Sequence, residues 1–154
     1  MKPTYTETDC FGNTYYYSDS DMSILHREDG PAIEWADGRR EWYRKGKLHR
    51  KDGPAFEHPN GYKSWFINGK LHRKDGPAFE HPNGYKSWLL KGKTHRKGGP
   101  AVEYADGFKE WYRNGERHRE DGPAIEWGDG GVEYYIHGKP LTKEEFEARK
   151  GKLQ

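Results

Sequence analysis

A fixed spacing governs this sequence. Leu48-His49-Arg50-Lys51-Asp52-Gly53-Pro54-Ala55 returns as Leu71-His72-Arg73-Lys74-Asp75-Gly76-Pro77-Ala78, and altered forms begin at His26, His95 and His118. The five histidines stand 23 residues apart, so five tandem units occupy 26–140 of a 154-residue chain. Self-similarity at one period signals a stacked array, in which each unit buries its apolar face only against its neighbours.

Unit one opens with His26-Arg27-Glu28-Asp29-Gly30-Pro31, a run dense in turn formers, followed by Ala32-Ile33-Glu34-Trp35 and then Asp37-Gly38. An Asp-Gly pair after an alternating run is a strong hairpin signal. A return strand Arg39–Arg44 follows, closed by Lys45-Gly46-Lys47; unit two repeats the order with Pro59-Asn60-Gly61 at the turn and Asn68-Gly69 at the close. Each unit is therefore predicted to be one β-hairpin plus a connecting loop. Two-residue turns at Asp-Gly and Asn-Gly set Ile33 opposite Trp42 and Trp35 opposite Arg40. Along the chain this register predicts one apolar face built from Ile33/Trp42, Phe56/Trp65, Phe79/Trp88, Val102/Trp111 and Ile125/Tyr134. It also sets Glu34 against Glu41, Glu103 against Glu110 and Glu126 against Glu133. Either a turn one residue longer or His and Arg from adjoining loops must relieve that conflict.

Hydrophobic residues make up 31% and charged residues 34%, with a mean hydropathy of −1.31, too polar for a thick core. Aromatics at 15% change the conclusion from disorder to a thin, elongated fold, because large rings bury much area per residue. The predicted class is all-β: an elongated single antiparallel sheet of tandem 23-residue hairpins. A lone cysteine, Cys10, excludes an internal disulfide and fits a reducing compartment. No apolar run approaches the roughly 20 residues needed to span a bilayer. Met1-Lys2-Pro3-Thr4-Tyr5 lacks the apolar centre of a signal peptide, so the expected location is cytoplasmic and no membrane partner is expected.

The ends depart from the repeat, as terminal units of an array do. Residues 1–25 are predicted to form an N-terminal capping hairpin, with Gly12-Asn13-Thr14-Tyr15-Tyr16-Tyr17 matching the second half of a unit. In 141–154, Thr142 with Glu145 three residues on is a capping box. It predicts a short capping helix and tail, with Leu141 and Phe146 covering the last hairpin.

His and Asp three apart in the His-Arg-x-Asp loop read as metal ligands, as an acid–base pair, or as parts of a structural joint. The pattern recurs at 26–29, 49–52, 72–75 and 118–121, while Gly98 replaces the Asp in unit four. A residue set needed in every unit more economically solves a problem every unit shares, and Asp can cap the backbone of the Gly-Pro turn. His and Arg can then reach the glutamates at 34, 57, 80, 103 and 126. No phosphate loop, zinc spacing or nucleophile elbow is present, so neither catalytic residues, metal nor cofactor is expected.

The positions that differ between units carry more. Residues 44–97 hold 14 Lys/Arg against 4 Asp/Glu, net +10, between flanks of net −5 and −3. Lys51, Lys74 and Lys97 follow the loop arginine where the outer units have Glu28 and Glu120. Duplication accounts for part of this, since Lys70–Trp88 copies Lys47–Trp65. A basic band with aromatics otherwise marks a site for something acidic. The candidate binding residues are Arg50, Lys51, Tyr62, Trp65, Arg73, Lys74, Tyr85, Trp88, Arg96 and Lys97.

The motifs Asp-Gly-x-x-x-Trp-Tyr-x-x-Gly at 37–46 and 106–115 and Asn-Gly-Lys at 68–70, set in hairpin units, resemble the MORN repeat superfamily. The His-Arg-x-Asp-Gly-Pro-Ala variant looks like a subgroup found in bacteriophage and bacterial proteins; where MORN units carry Tyr-x-Gly, this chain has Gly-Pro-Ala-x-Glu. The resemblance implies a twisted antiparallel sheet and non-enzymatic binding or assembly. The leading expectation is a phage-like protein that binds and inhibits a host protein with an acidic surface, such as a defence component. A sponge for an anionic nucleotide, with Tyr62, Tyr85, Trp65 and Trp88 stacking on bases and Arg50, Arg73 and Lys74 on phosphates, is the alternative. A self-assembling homo-oligomer is the third. Nucleic acid ranks below these, because no base-reading module is recognisable and the net charge is only +2.

Overall fold

The computed structural model describes residues 4–150; the first three residues of the predicted N-terminal segment and 151–154 of the predicted tail lie outside the described residues. The chain begins with the hairpin β1 (Tyr5–Thr8) and β2 (Thr14–Tyr17). Unit one supplies β3 (Ile33–Glu34), β4 (Arg40–Glu41), β5 (Tyr43–Arg44) and β6 (Lys47–Leu48). The same four strands recur as β7 (Phe56–Glu57), β8 (Lys63–Ser64), β9 (Phe66–Ile67) and β10 (Lys70–Leu71), then as β11 (Phe79–Glu80), β12 (Lys86–Ser87), β13 (Leu89–Leu90) and β14 (Lys93–Thr94). Unit four gives β15 (Val102–Glu103), β16 (Lys109–Glu110), β17 (Tyr112–Arg113) and β18 (Glu116–Arg117). Unit five ends the series with β19 (Ile125–Glu126), β20 (Val132–Ile136) and β21 (Lys139–Leu141), before the helix α1 (Lys143–Lys150).

The first two strands of every unit join one antiparallel sheet of 13 strands, β1-β2-β3-β4-β7-β8-β11-β12-β15-β16-β19-β20-β21. At ~4.8 Å per strand it runs roughly 60 Å. The fold is all-β with one short helix, as the sequence predicts. Among the described residues no helix is long and apolar enough to cross a membrane.

Two expectations are corrected. Each of units one to four contains two hairpins, because the return strand breaks at Trp42 and its equivalents. The register also differs: Ile33 pairs with Glu41, and Glu34 with Arg40. The reason lies in the turns. A two-residue turn of the primed type needs positive φ at its first central residue, and in type I′ at both. Gly38 has it (φ 88°) and Asp37 does not. Instead Trp35 N–H bonds Arg39 O at 3.0 Å and Gly38 N–H bonds Trp35 O at 2.9 Å, a three-residue loop with glycine in the left-handed position. Asp37 Oδ1 accepts the N–H of Arg39, and Asn60, Asn83, Asp106 and Asp129 do the same in their units. The longer turn removes the Glu-against-Glu conflict: Glu34 faces Arg40 and Glu103 faces Lys109, while Glu126 faces Val132 in its own hairpin and Lys109 on the neighbouring strand.

The primed turns sit at the closing dipeptides, where Lys45-Gly46, Asn68-Gly69, Lys91-Gly92, Asn114-Gly115 and His137-Gly138 all have positive φ. A non-glycine residue in that conformation costs of order 1 kcal/mol. It is held by the joint histidine that opens the same unit: the N–H of Lys45, Lys91, Asn114 and His137 each donates to the Nδ1 of His26, His72, His95 and His118 at 3.1 Å. The histidines thus bind backbone rather than the glutamate column.

The predicted apolar pairs therefore do not form across strands. Phe56 faces Ser64 and Phe79 faces Ser87, while Ala32, Ala55, Ala78, Ala101 and Ala124 are all 0% exposed, the most buried residues of the core. At the C-terminus Thr142 Oγ1 accepts the N–H of Glu145 and Glu145 Oε2 accepts the N–H of Thr142, the reciprocal cap. Phe146 packs on Tyr134 with centroids 4.7 Å apart and is buried.

Candidate functional site

The joint between units is built round its arginine. Arg73 lies with Cζ 4.0 Å above the Trp65 ring, while its NH1 donates to Pro77 O at 3.2 Å and Glu80 Oε1 at 3.1 Å. Arg50, Arg96 and Arg119 stack likewise on Trp42, Trp88 and Trp111, and Arg27 on Tyr16. The other face of each guanidinium lies on the glycine of Gly-Pro: a Cβ at Gly53 or Gly76 would stand 2.8 or 2.7 Å from the arginine Cζ. Glycine is required there for space rather than for turn geometry.

The joint aspartate hydrogen-bonds the remaining Nε edge in units one and five, at 3.1 Å for Asp29 and 2.9 Å for Asp121, and stands farther off as an ion pair at 3.4 Å for Asp52 and 3.7 Å for Asp75. It binds its arginine instead of capping the Gly-Pro backbone. The hydrogen bond from Arg119 is the main reason the Asp121 carboxyl is held below the usual carboxylate range.

Consecutive joints enclose a groove whose floor is the stacked tryptophan and the joint histidine. Four such grooves run along one edge, of about 420, 530, 530 and 560 Å³ in chain order. Lys51, Lys74 and Lys97 are exposed on their rims, and none forms an ion pair among the described residues. The groove between units three and four is the most basic: Arg73, Lys74, Arg96 and Lys97 line it with Asp75 as the sole carboxylate. There Gly98 replaces the joint aspartate, with φ 76° and open space where a side chain would lie. Arg96 has Glu103 and Pro100 O but no carboxylate on Nε. It is also the most exposed joint arginine, at 31% against 21–27% for the others.

The structure therefore gathers Arg50, Lys51, Trp65, Arg73, Lys74, Trp88, Arg96 and Lys97 into one edge. It separates Tyr62 and Tyr85 from them. Those two stand on the hairpin side, in a chain of edge-to-face rings: Phe56–Tyr62 at 5.1 Å, Tyr62–Phe79 at 4.9 Å and Phe79–Tyr85 at 5.4 Å. Trp65 and Trp88 each have one face covered by Arg73 and Arg96. Three participants stand outside the candidate binding residues named from the sequence. His72 and His95 line groove floors. Gly98, visible only as a break in a His/Asp pattern, frees an arginine edge. No cluster of three His, Cys, Asp or Glu side chains suited to a metal occurs among the described residues. No protein-family profile and no curated protein matches the chain.

Proposed function

We propose that the chain is a non-enzymatic binding protein of MORN-like, phage-like character. It acts in the cytoplasm of a bacterial host by occluding an acidic surface of a host protein, such as a defence component. The observation that carries this reading is the lysine ladder. Lys51, Lys74 and Lys97 rim successive grooves, exposed and unpaired among the described residues, where the outer joints have Glu28 and Glu120. Repeat geometry spaces such rims by two strands, about 10 Å, a spacing that suits an extended acidic surface.

The test compares capture from a bacterial lysate by wild-type protein and by a Lys51/Lys74/Lys97→Glu variant, over a salt series. A specific partner retained by the wild type, lost with the variant and weakened by salt supports the reading. Equal recovery by both removes the basic edge from the function. The nucleotide alternative gains nothing from the geometry: Tyr62 and Tyr85 stand apart from the arginines, and the Trp65 and Trp88 rings already carry guanidinium groups. Absence of thermal stabilisation across a nucleotide panel would exclude it.

A further inference from the structure

The opposite edge, formed by the hairpin tips, contains a second site of opposite chemistry, and it does not depend on the reading above. In unit one the tip holds its own cation. The Arg39 guanidinium lies 4.5 Å above the Trp35 ring, and its Nε donates to Asp37 Oδ1 at 3.1 Å and Oδ2 at 2.8 Å. Unit five keeps two of these three residues. Trp127 and Asp129 stand at the places of Trp35 and Asp37, but Gly131 replaces the arginine.

The consequence is visible in the exposure. Trp127 is 45% exposed and Tyr104 44%. Asp129 Oδ1 accepts the N–H of Gly131 at 3.0 Å, as Asp37 Oδ1 accepts that of Arg39. Among the described residues Asp129 Oδ2 accepts no hydrogen bond, and neither Asp129 nor Asp106 has a cationic partner.

The fourth tip supplies the other wall. A Cβ on Gly128 would collide with Asp106 O, so the two tips touch through their backbones, and only glycine permits the approach. Between them lies an open cleft of about 520 Å³, lined by Tyr104, Asp106, Phe108, Trp127, Gly128 and Asp129. Phe108 and Trp127 stand with centroids 4.5 Å apart, and Tyr104 and Phe108 5.4 Å apart. Aromatic faces beside two unpaired carboxylates attract a cation through ring quadrupole and charge together.

We propose that this cleft binds a guanidinium group from outside the chain, stacked on aromatic rings and hydrogen-bonded to Asp129 and Asp106. A planar guanidinium suits it better than an ammonium, because it stacks, offers several N–H donors and sheds water more readily. The guest occupies the role that Arg39 plays in unit one.

Blocked arginine (N-acetyl-arginine methylamide) titrated into the full-length protein tests this, followed by the ¹⁵N–¹H signal of the Trp127 indole, assigned with Trp127→Phe. Saturable shifts with a Kd on the order of millimolar are expected for a single stacked ion contact. The lysine analogue should bind several-fold more weakly, and the uncharged citrulline analogue should not bind. Asp106→Asn with Asp129→Asn should weaken arginine about tenfold; Asn60 and Asn83 show that the turn accepts asparagine with its backbone hydrogen bond intact. Gly131→Arg, which restores the internal cation, should abolish binding, while unchanged amide spectra elsewhere confirm the fold. Two further arms identify the source. Tighter binding of Gly-Arg-Gly than of free arginine assigns the guest to an arginine displayed on a protein, and the reverse order assigns it to a small molecule. Equal shifts with citrulline, or unchanged binding in either variant, overturn the proposal.

Discussion

The joint makes a sharp demand at glycine, and Gly76→Ala tests it. Gly76 does not have positive φ, so alanine meets no backbone strain there. Substitution at such a site ordinarily stabilises a protein by about 0.4–1 kcal/mol, by restricting the unfolded chain. Here the new Cβ would lie 2.7 Å from Arg73 Cζ and 2.8 Å from its Nε. The comfortable separation of such atoms is about 3.5–4 Å. Retreat is blocked, because the Trp65 ring stands 4.0 Å away on the other face. The guanidinium must leave the slot. It then loses its ring contact, worth ~1 kcal/mol for a half-desolvated site, and its pairing with Glu80, worth ~1 kcal/mol. Pro77 O loses a charged donor as well, for ~1 kcal/mol more. Against the entropic gain, the net cost is about 2 kcal/mol.

The decisive measurement is the same substitution in an Arg73→Ala background. With the guanidinium gone, the added methyl group has room, and the substitution should become stabilising by about 0.4–1 kcal/mol. The sign should invert, giving a coupling of ~2–3 kcal/mol between the two positions. Gly99→Ala should be the mildest of the series, because its Cβ would clear Arg96 Cζ by 3.1 Å. Urea unfolding followed by both far-ultraviolet dichroism and tryptophan fluorescence measures each value, with coincident transitions required because arrays can unfold piecemeal. An equal cost of Gly76→Ala in both backgrounds would refute the account of the slot.

Three further outcomes follow from the same geometry. His72→Ala removes the acceptor for the Lys91 N–H and should cost about 1 kcal/mol, with faster hydrogen exchange at the Lys91 amide. Phe146→Ala should cost ~3 kcal/mol at the C-terminal end and erase the helical dichroism, since its ring is the helix's only buried side chain among the described residues. Burial, and then the Glu41 charge, push the Tyr43 hydroxyl from 10.0 up to about 12. The unfolded chain releases that proton first, so the contribution is complete below pH 10 and is lost as pH rises towards 12; Tyr43→Phe should flatten the fall in urea midpoint across that window.

The period, the all-β class and the capped helix are legible because each rests on local chemistry: a spacing, an alternation, a Thr-x-x-Glu box. Register was less accessible. Asp37-Gly38 satisfies two turn types, and only the φ of Asp37 separates them. The primed turns instead use Lys45-Gly46 and Asn68-Gly69, where the joint histidines hold the left-handed residue. That support comes from 19 residues earlier in the chain, outside any local window. The glycine of Gly-Pro was similarly opaque. Its neighbour in space is an arginine clamped between units, a relation that exists only after the array has stacked. In the candidate site the lysine ladder could be read from sequence. The separation of Tyr62 and Tyr85 from the arginines could not, because it follows from the break in the return strand.

The two edges carry opposite departures from the repeat, and their relation is itself measurable. Along the joints the position after the loop arginine reads Glu28, Lys51, Lys74, Lys97, Glu120. Along the tips the equivalent sequence is Asp37, Asn60, Asn83, Asp106, Asp129. The middle of the sheet is thus basic on one edge and neutral on the other, while units four and five hold unpaired acid at the tips. A single partner spanning both edges must offer acid to the lysine rims and an arginine to the Trp127 cleft. Affinity for a partner captured through the basic edge then discriminates. Lys74→Glu and Asp106→Asn with Asp129→Asn should each weaken it, and their free energies should add within about 0.5 kcal/mol, since the sites share no side chain. If the cleft serves a different guest, the Asn variants leave that affinity unchanged while still losing the arginine shift at Trp127. An additive loss makes the protein a two-edged clasp on one surface. An unchanged affinity makes it an adaptor joining two.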